Sequence, residues 1–415
     1  MKKQTYRQVL SKPFLVYLID LPKPTQKVYF RLMMRAGRCF ASKDNKELPH
    51  LLEHYLANQF MQEKEDYSAF VDLEHLDFFL LAKKQTFETK LNIFLKVLLQ
   101  PNFRNKVVFE NEKKSMLNEI NGTYPTPENT VYRSVINARF RETDYSISNK
   151  LTNADKHIKL LDIKKYYHQF CHSGNITLFI GAHQLSPELI KSIKKIILSV
   201  KTLKGKANNY PSAQYSKFSI IRKEFQTERT FLTLTWRGTG QRGNIIDMYL
   251  SNCAMSLLIH GQQSRLFQKL RVENNLIYGV NGLVQFFNKA GYFAVSTAVE
   301  TKDTLQTIEL IIAEVDKIKN GEIDNKQLKL YLNECIKMIK KSWQDNWKRF
   351  DWISQDLIHR QKTLSLETLL SINNKIQKNP LLISSALKKY FDHHYLNIIL
   401  VGKKVDKIDL NTLNY

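Results

Sequence analysis

Two strand patterns recur in this chain at one spacing, and that recurrence limits the fold more than any other feature. KVYFRLMMRAG (27–37) is an apolar run ending at Gly37, and RTFLTLTWRGTG (229–240) has the same shape, ending at Gly238 and Gly240. NITLFIGAHQLSPELI (175–190) and NIILVGKKVDKIDL (397–410) likewise share a strand, a glycine turn and a polar continuation. Both pairs are offset by roughly 210 residues, so the 415-residue chain reads as a duplicated domain. The polar stretch KTLKGKANNYPSAQYSK (201–217) separates the copies. We expect a first domain over 1–205, a linker over 206–214 and a second domain over 215–415. Helical periodicity covers 87–99, 105–121, 153–169, 245–259, 303–319 and 326–344. Strands and long helices mix without strict alternation. This predicts an α+β fold of two similar domains, each a mostly antiparallel sheet with helices packed on one face.

Composition narrows the partners. The net charge is +24, yet no run reaches the five or six like charges of a nucleic-acid or acidic-surface tail, and no nucleic-acid motif accompanies it. Lysine spread over solvated faces is the plainer reading of the charge and attraction to an anionic partner such as an acidic peptide the other; no nucleic-acid partner is expected. No apolar run is long enough to span a bilayer; 246–260 is interrupted by Asp247, Ser251 and Asn252. The apolar patch at 14–19 is closed by Asp20 and reads as a strand rather than a signal peptide. Cys39, Cys171, Cys253 and Cys335 form no C-x-x-C pair, so free thiols in a reducing cytoplasm are expected.

The chemistry concentrates in LPHLLEHYLANQF (48–60). Pro49 suits the first turn of a helix. Leu51, Leu52, Tyr55, Leu56 and Phe60 make its apolar face. His50 and His54 are one turn apart, so both imidazoles project from the same side and can hold one zinc ion. Glu53 lies beside them, where a general base for a zinc-activated water must sit. H-x-x-E-H is the inverzincin order.

A catalytic zinc needs a third protein ligand and an open position. Glu112 and Glu119, in FENEKKSMLNEINGTYPTPEN (109–129), are seven residues apart and share a helix face. One can bind the metal while the other orients a ligand; a solvated glutamate-lysine helix is the plainer reading.

With H-x-x-E-H at 50–54, F-x-x-E-K-x-x-x-x-x-E-I at 109–120, NITLFIG in mid-chain and SRLFQKLRVENNLIYGV at 264–280, the sequence resembles the pitrilysin/insulinase family of zinc peptidases. It is most similar to the short two-domain subfamily that includes the mitochondrial processing peptidase subunits and bacterial homologues. The resemblance runs along nearly the whole chain. It implies that His50, His54 and Glu119 carry one zinc per chain, with Glu53 as base and Glu112 as the assisting acidic residue. It also implies that Arg271 and Tyr278 contact the peptide backbone near the scissile carbonyl, as suits a cation and a phenol O–H.

The implied activity is zinc-dependent endopeptidase cleavage of short or unfolded peptides, the substrate adding as a strand to the sheet edge near 76–82 (LDFFLLA). A chain of this length is one two-domain unit, so the resemblance implies a homodimer or a heterodimer with a related chain. A non-catalytic or regulatory subunit of the same fold is the alternative. Three features depart from the family, one of them Pro49, where the family tends to have a small residue. The interval from His54 to Glu119 is short, with the missing piece placed just after the histidine helix at 58–67, and Ser68-Ala69 replaces an asparagine-alanine pair.

Overall fold

A computed structural model of the chain describes residues 5–60, 67–123, 126–141, 143–147 and 152–413. Most of the segment that follows the histidine helix, 61–66, therefore lies outside the described residues. The chain forms two compact units, each assembled from three stretches. Unit 1 comprises Met1–Gly122, Lys150–Pro211 and Lys341–Thr363; unit 2 comprises Thr123–Asn149, Ser212–Lys340 and Leu364–Tyr415.

Unit 1 is built on six strands: β1 (Tyr6–Leu10), β2 (Leu15–Asp20), β3 (Lys27–Met34), β4 (Tyr67–Val71), β5 (Leu76–Lys83) and β6 (Ile176–Ala182). Their order is β1-β2-β6-β3-β5-β4, with β2 and β6 parallel and every other pair antiparallel. Unit 2 has β7 (Ser219–Glu224), β8 (Thr230–Gly238), β9 (Val280–Phe286), β10 (Gly291–Val299) and β11 (Asn397–Gly402), in the order β7-β11-β8-β10-β9. Here β7 and β11 are parallel and the rest antiparallel. Strand for strand, β2-β6-β3-β5-β4 and β7-β11-β8-β10-β9 are the same arrangement, so the α+β fold contains two like sheets.

The expected single helical layer is one of two on each sheet. Strands β6 and β11 are buried at every residue, so both of their faces need cover. In unit 1, Phe30 and Leu32 of β3 share a face with Phe78 and Leu80 of β5, and Phe30 meets Phe94 of helix Lys84–Leu99 edge-on at 5.4 Å. The opposite face carries Tyr17, Ile19, Met33, Phe79 and Phe179, and these pack against Phe350, Ile353 and Leu357 of helix Asn346–Arg360. That helix comes from the second half of the sequence. It is also tied polarly: Arg31 of β3 pairs with buried Asp77 of β5 and donates to Asp351 at 2.7 Å and Ser354 at 2.8 Å on the helix.

Unit 2 mirrors this. Leu232, Leu234 and Trp236 of β8, with Phe293, Val295, Ile398 and Leu400, face helices Ile245–Ile259, Thr304–Lys319 and Leu381–Tyr390. The other face is crossed by helix Pro127–Arg139, from the first half of the sequence, which lies over β7, β11 and β8. Its buried Arg139 donates from Nε to the Asn397 side chain at 2.6 Å. Relative to the sequence halves, the units thus exchange one helix each.

All four cysteines are buried, and none is in a disulfide. Among the described residues, no helix is long and apolar enough to cross a membrane.

Candidate metal centre and substrate-binding pair

Strand β3 ends at Met34, and beyond Gly37 the chain enters helix Leu48–Asn58 with Pro49 in its first turn. Leu51, Leu52, Tyr55 and Leu56 bury one side of this helix, which leaves His50, Glu53 and His54 grouped on another. One ligand atom from each of the three lies within 4.8 Å of the others. The two imidazoles stand edge to face, 4.9 Å apart between ring centres.

Helix Lys106–Thr123 brings both glutamates to this group, and the structure separates their positions. Glu119 faces the inner nitrogens: one carboxylate oxygen is 3.7 Å from His50 Nε2 and the other 3.3 Å from His54 Nε2. Glu112 faces the back of His54, 3.3 Å from Nδ1, and its second oxygen accepts from Asn58 Nδ2 at 2.7 Å. Two donors on one tetrahedral zinc ion sit about 3.4 Å apart. The nitrogen–oxygen separations around Glu119 match that spacing, so His50, His54 and Glu119 fit one divalent ion.

A carboxylate also stands behind each imidazole. Glu47 Oε2 is 3.3 Å from His50 Nδ1, as Glu112 is from His54 Nδ1. Glu112 is in hydrogen-bond contact with His54 Nδ1, which fixes that tautomer and aims its Nε2 inward, whereas Glu47 stands within ion-pair range of His50 Nδ1 without a hydrogen bond. Glu47 is held in turn by Arg38, at 3.2 Å from Nε and 3.1 Å from Nη2. Sequence reasoning missed Glu47 and Arg38. A glutamate one turn before a metal histidine was the available signal.

Glu53 is 9% exposed. Burial pushes its carboxyl above the usual range, against the pull of His54 and His50. A carboxylate raised in this way is a stronger proton acceptor than one in water.

In unit 2, Arg271 sits in a π-helical turn, Phe267–Glu273. Nη1 donates to Asn275 Oδ1 at 3.0 Å and to the Ile277 carbonyl at 3.1 Å, which holds the guanidinium 4.8 Å from the Tyr278 ring centre. Asn275 adopts a left-handed φ of 49°, closing the turn that brings the two together. Tyr278 is 71% exposed, and Arg229 lies 4.8 Å from the same ring centre. Sequence reasoning missed Arg229, which is far away in sequence. Beside this pair, starting at Gly279, an apolar cavity of about 460 Å³ opens on the sheet face, lined by Val131, Val135, Phe231, Leu283 and Ala294.

The six-stranded sheet of unit 1 has β1 at one edge and β4, Tyr67–Val71, at the other, and among the described residues β4 pairs only with β5. The expected edge at 76–82 falls in β5, which is flanked by both β3 and β4 and offers no free backbone. Its apolar residues reflect burial on two faces rather than an exposed rim.

Residues 157–335 match the Peptidase M16 inactive domain family. An uncharacterized zinc protease of Rickettsia felis is 22% identical over 408 residues, covering 93% of this chain and 89% of the relative. A crystal structure of a peptidase M16 inactive domain from Pseudomonas fluorescens superposes with a TM-score of 0.82 at 16% identity, over 97% of this chain and 98% of that one. A chain of Complex III2 from Candida albicans, with Inz-5 bound, superposes with a TM-score of 0.81 at 14% identity, over 98% of each chain.

Proposed function

The chain is a relative of the pitrilysin/insulinase (M16) peptidases, and from that premise we propose that it is a zinc-dependent endopeptidase acting on short or unfolded peptides. The observation that carries this reading is the spacing around Glu119, with Glu53 buried beside it. His50, His54 and Glu119 would hold the ion. Zinc bound there would supply Lewis acidity, acidifying water and polarising a peptide carbonyl. Glu53 accepts the proton of the attacking water and passes it to the leaving amine. Glu112 keeps the His54 imidazole aimed, and Glu47 stands behind His50.

Arg271 and Tyr278 supply a guanidinium and a phenol O–H to substrate carbonyls and to the oxyanion. The apolar cavity next to Tyr278 takes an apolar peptide side chain. The substrate backbone adds to the free edge of β4, where hydrogen bonds give affinity with little sequence demand. The chain works as a dimer, with itself or with a related chain; the fold likeness to a chain of Complex III2 is consistent with a partner chain.

The second reading is a non-catalytic subunit. It draws on the inactive-domain match, but that match covers 157–335 and leaves the histidine helix outside it. Metal analysis with cleavage of a mixed peptide library, wild type against Glu53→Gln, separates the two. The endopeptidase reading expects one zinc at the His50 site in both proteins and a loss of cleavage of about 10²–10⁴-fold in the variant. Wild-type protein that cleaves nothing in the library supports the second reading.

A further inference from the structure

Unit 1 contains a second group of metal-ligating side chains that shares no residue with the first. We propose that Glu74, His75 and His359 form a structural zinc site that staples helix Asn346–Arg360 to the turn between β4 and β5. The site is independent of the peptidase reading.

Three potential donors converge out of contact with solvent. One ligand atom of each residue lies within 4.8 Å of the other two. Their exposures are 3%, 2% and 5%, so these are not solvated side chains that happen to meet. The two imidazoles stand edge to face with ring centres 5.2 Å apart. Tyr210 Oη lies 2.7 Å from His75 Nε2, which fixes that imidazole. Asp72 is 3.8 Å from Nδ1 and accepts from the backbone N–H groups of Glu74 and His75, both at 2.6 Å.

The backbone is also held in place. A Cβ on Gly37 would come within 2.4 Å of the His75 nitrogen, so the end of β3 packs directly on the 74–75 backbone. Glycine is required at that close approach.

Charge and topology agree with an ion. Two carboxylates, Asp72 and Glu74, and two imidazoles meet here; the nearby guanidiniums are Arg35, 5.1 Å above the Tyr210 ring, and Arg360, which is engaged by Asp356 at 2.7 Å. The residues come from three distant stretches of sequence, the 72–75 turn, Tyr210 and the exchanged helix. A bound ion fixes them in one place, and structural zinc contributes directly to folding.

The test uses full-length protein in which the first site is removed by His50→Gln and His54→Gln. After loading with zinc and dialysis, this double variant is expected to keep one zinc per chain, and adding His359→Gln is expected to remove it. An anomalous difference map at the zinc edge, from crystals of the wild type, should show a peak among Glu74, His75 and His359. That map needs no variant, so it decides the matter if His359→Gln fails to fold. A zinc-free double variant, or a wild-type map without that peak, overturns the proposal and leaves a hydrogen-bonded network of His75 and Tyr210. Loss of peptidase activity bears only on the His50 site.

Discussion

Units 1 and 2 repeat one sheet and differ in the helix that follows the matching strand. After β3 and Gly37 comes Leu48–Asn58, whose partly polar surface presents His50, Glu53 and His54. After β8 and Gly240 comes Ile245–Ile259, with Leu250, Cys253, Ala254, Leu257 and Leu258 in the core and no histidine or glutamate. The scaffold is therefore shared and the candidate chemistry is local: a few substitutions on one helix separate the unit that carries the candidate metal ligands from the one that carries Arg271 and Tyr278. The exchanged helices differ in the same way. In unit 1 the helix is held by the buried ion network of Arg31, Asp77 and Asp351; in unit 2 the buried Arg139 leans on the amide of Asn397.

That last contrast is the sharpest to break. Arg31→Met strands Asp77, which is fully buried, and should cost about 3–5 kcal/mol in urea unfolding. Arg139→Met leaves only an amide oxygen without its donor and should cost about 1–3 kcal/mol. Equal losses would show that the two helices are held alike.

The next contrast is between the two functional helices' neighbourhoods. Tyr278→Phe removes one donor from unit 2 and should lower kcat by about 10²–10³-fold with zinc content unchanged. A smaller effect confined to KM would make Tyr278 a binding contact alone.

On the unit 1 side, Glu47→Gln should weaken zinc affinity by about 10–100-fold, measured by chelator competition. Wild-type affinity in that variant would leave the aiming of His50 to its helix.

The smallest effect concerns pH. Arg265, at the start of the run that leads to Arg271, pairs with Glu314 at 2.8 Å. Burial alone would raise the Glu314 carboxyl, but Lys317 and Arg265 hold it below its ordinary value. The pairing therefore stabilises unit 2 above the unfolded carboxylate's pKa of about 4.3 and is lost as pH falls through the lower folded value. Glu314→Gln should flatten the acid limb of unit 2 unfolding by no more than about 1 kcal/mol. An unchanged acid limb would place the acid sensitivity elsewhere.

Much of this was legible in the residues. The repeated strands fall at β3 and β8 and at β6 and β11, in the same relative places of the two sheets. The periodicity at 245–259 is the observed helix Ile245–Ile259. The periodicity at 153–169 is broken into Asn153–Lys156 and Leu160–Phe170, because Asp162 caps the backbone of Lys159 and starts a new helix. That cap was readable, but apolar spacing alone ran across it.

Local patterning settled what lies within a few turns of helix: His50 and His54 on one side, Glu53 beside them, and Glu112 and Glu119 on a shared face. Those relations follow from 3.6 residues per turn and need no distant partner. Tertiary packing decided the rest: that Glu119 faces both inner nitrogens and Glu112 the back of His54, that β4 rather than β5 is the free edge, and that each unit takes a helix from the other half of the sequence. These outcomes depend on which apolar faces remain to be covered once the sheets have formed, and that is a property of surfaces brought together across hundreds of residues.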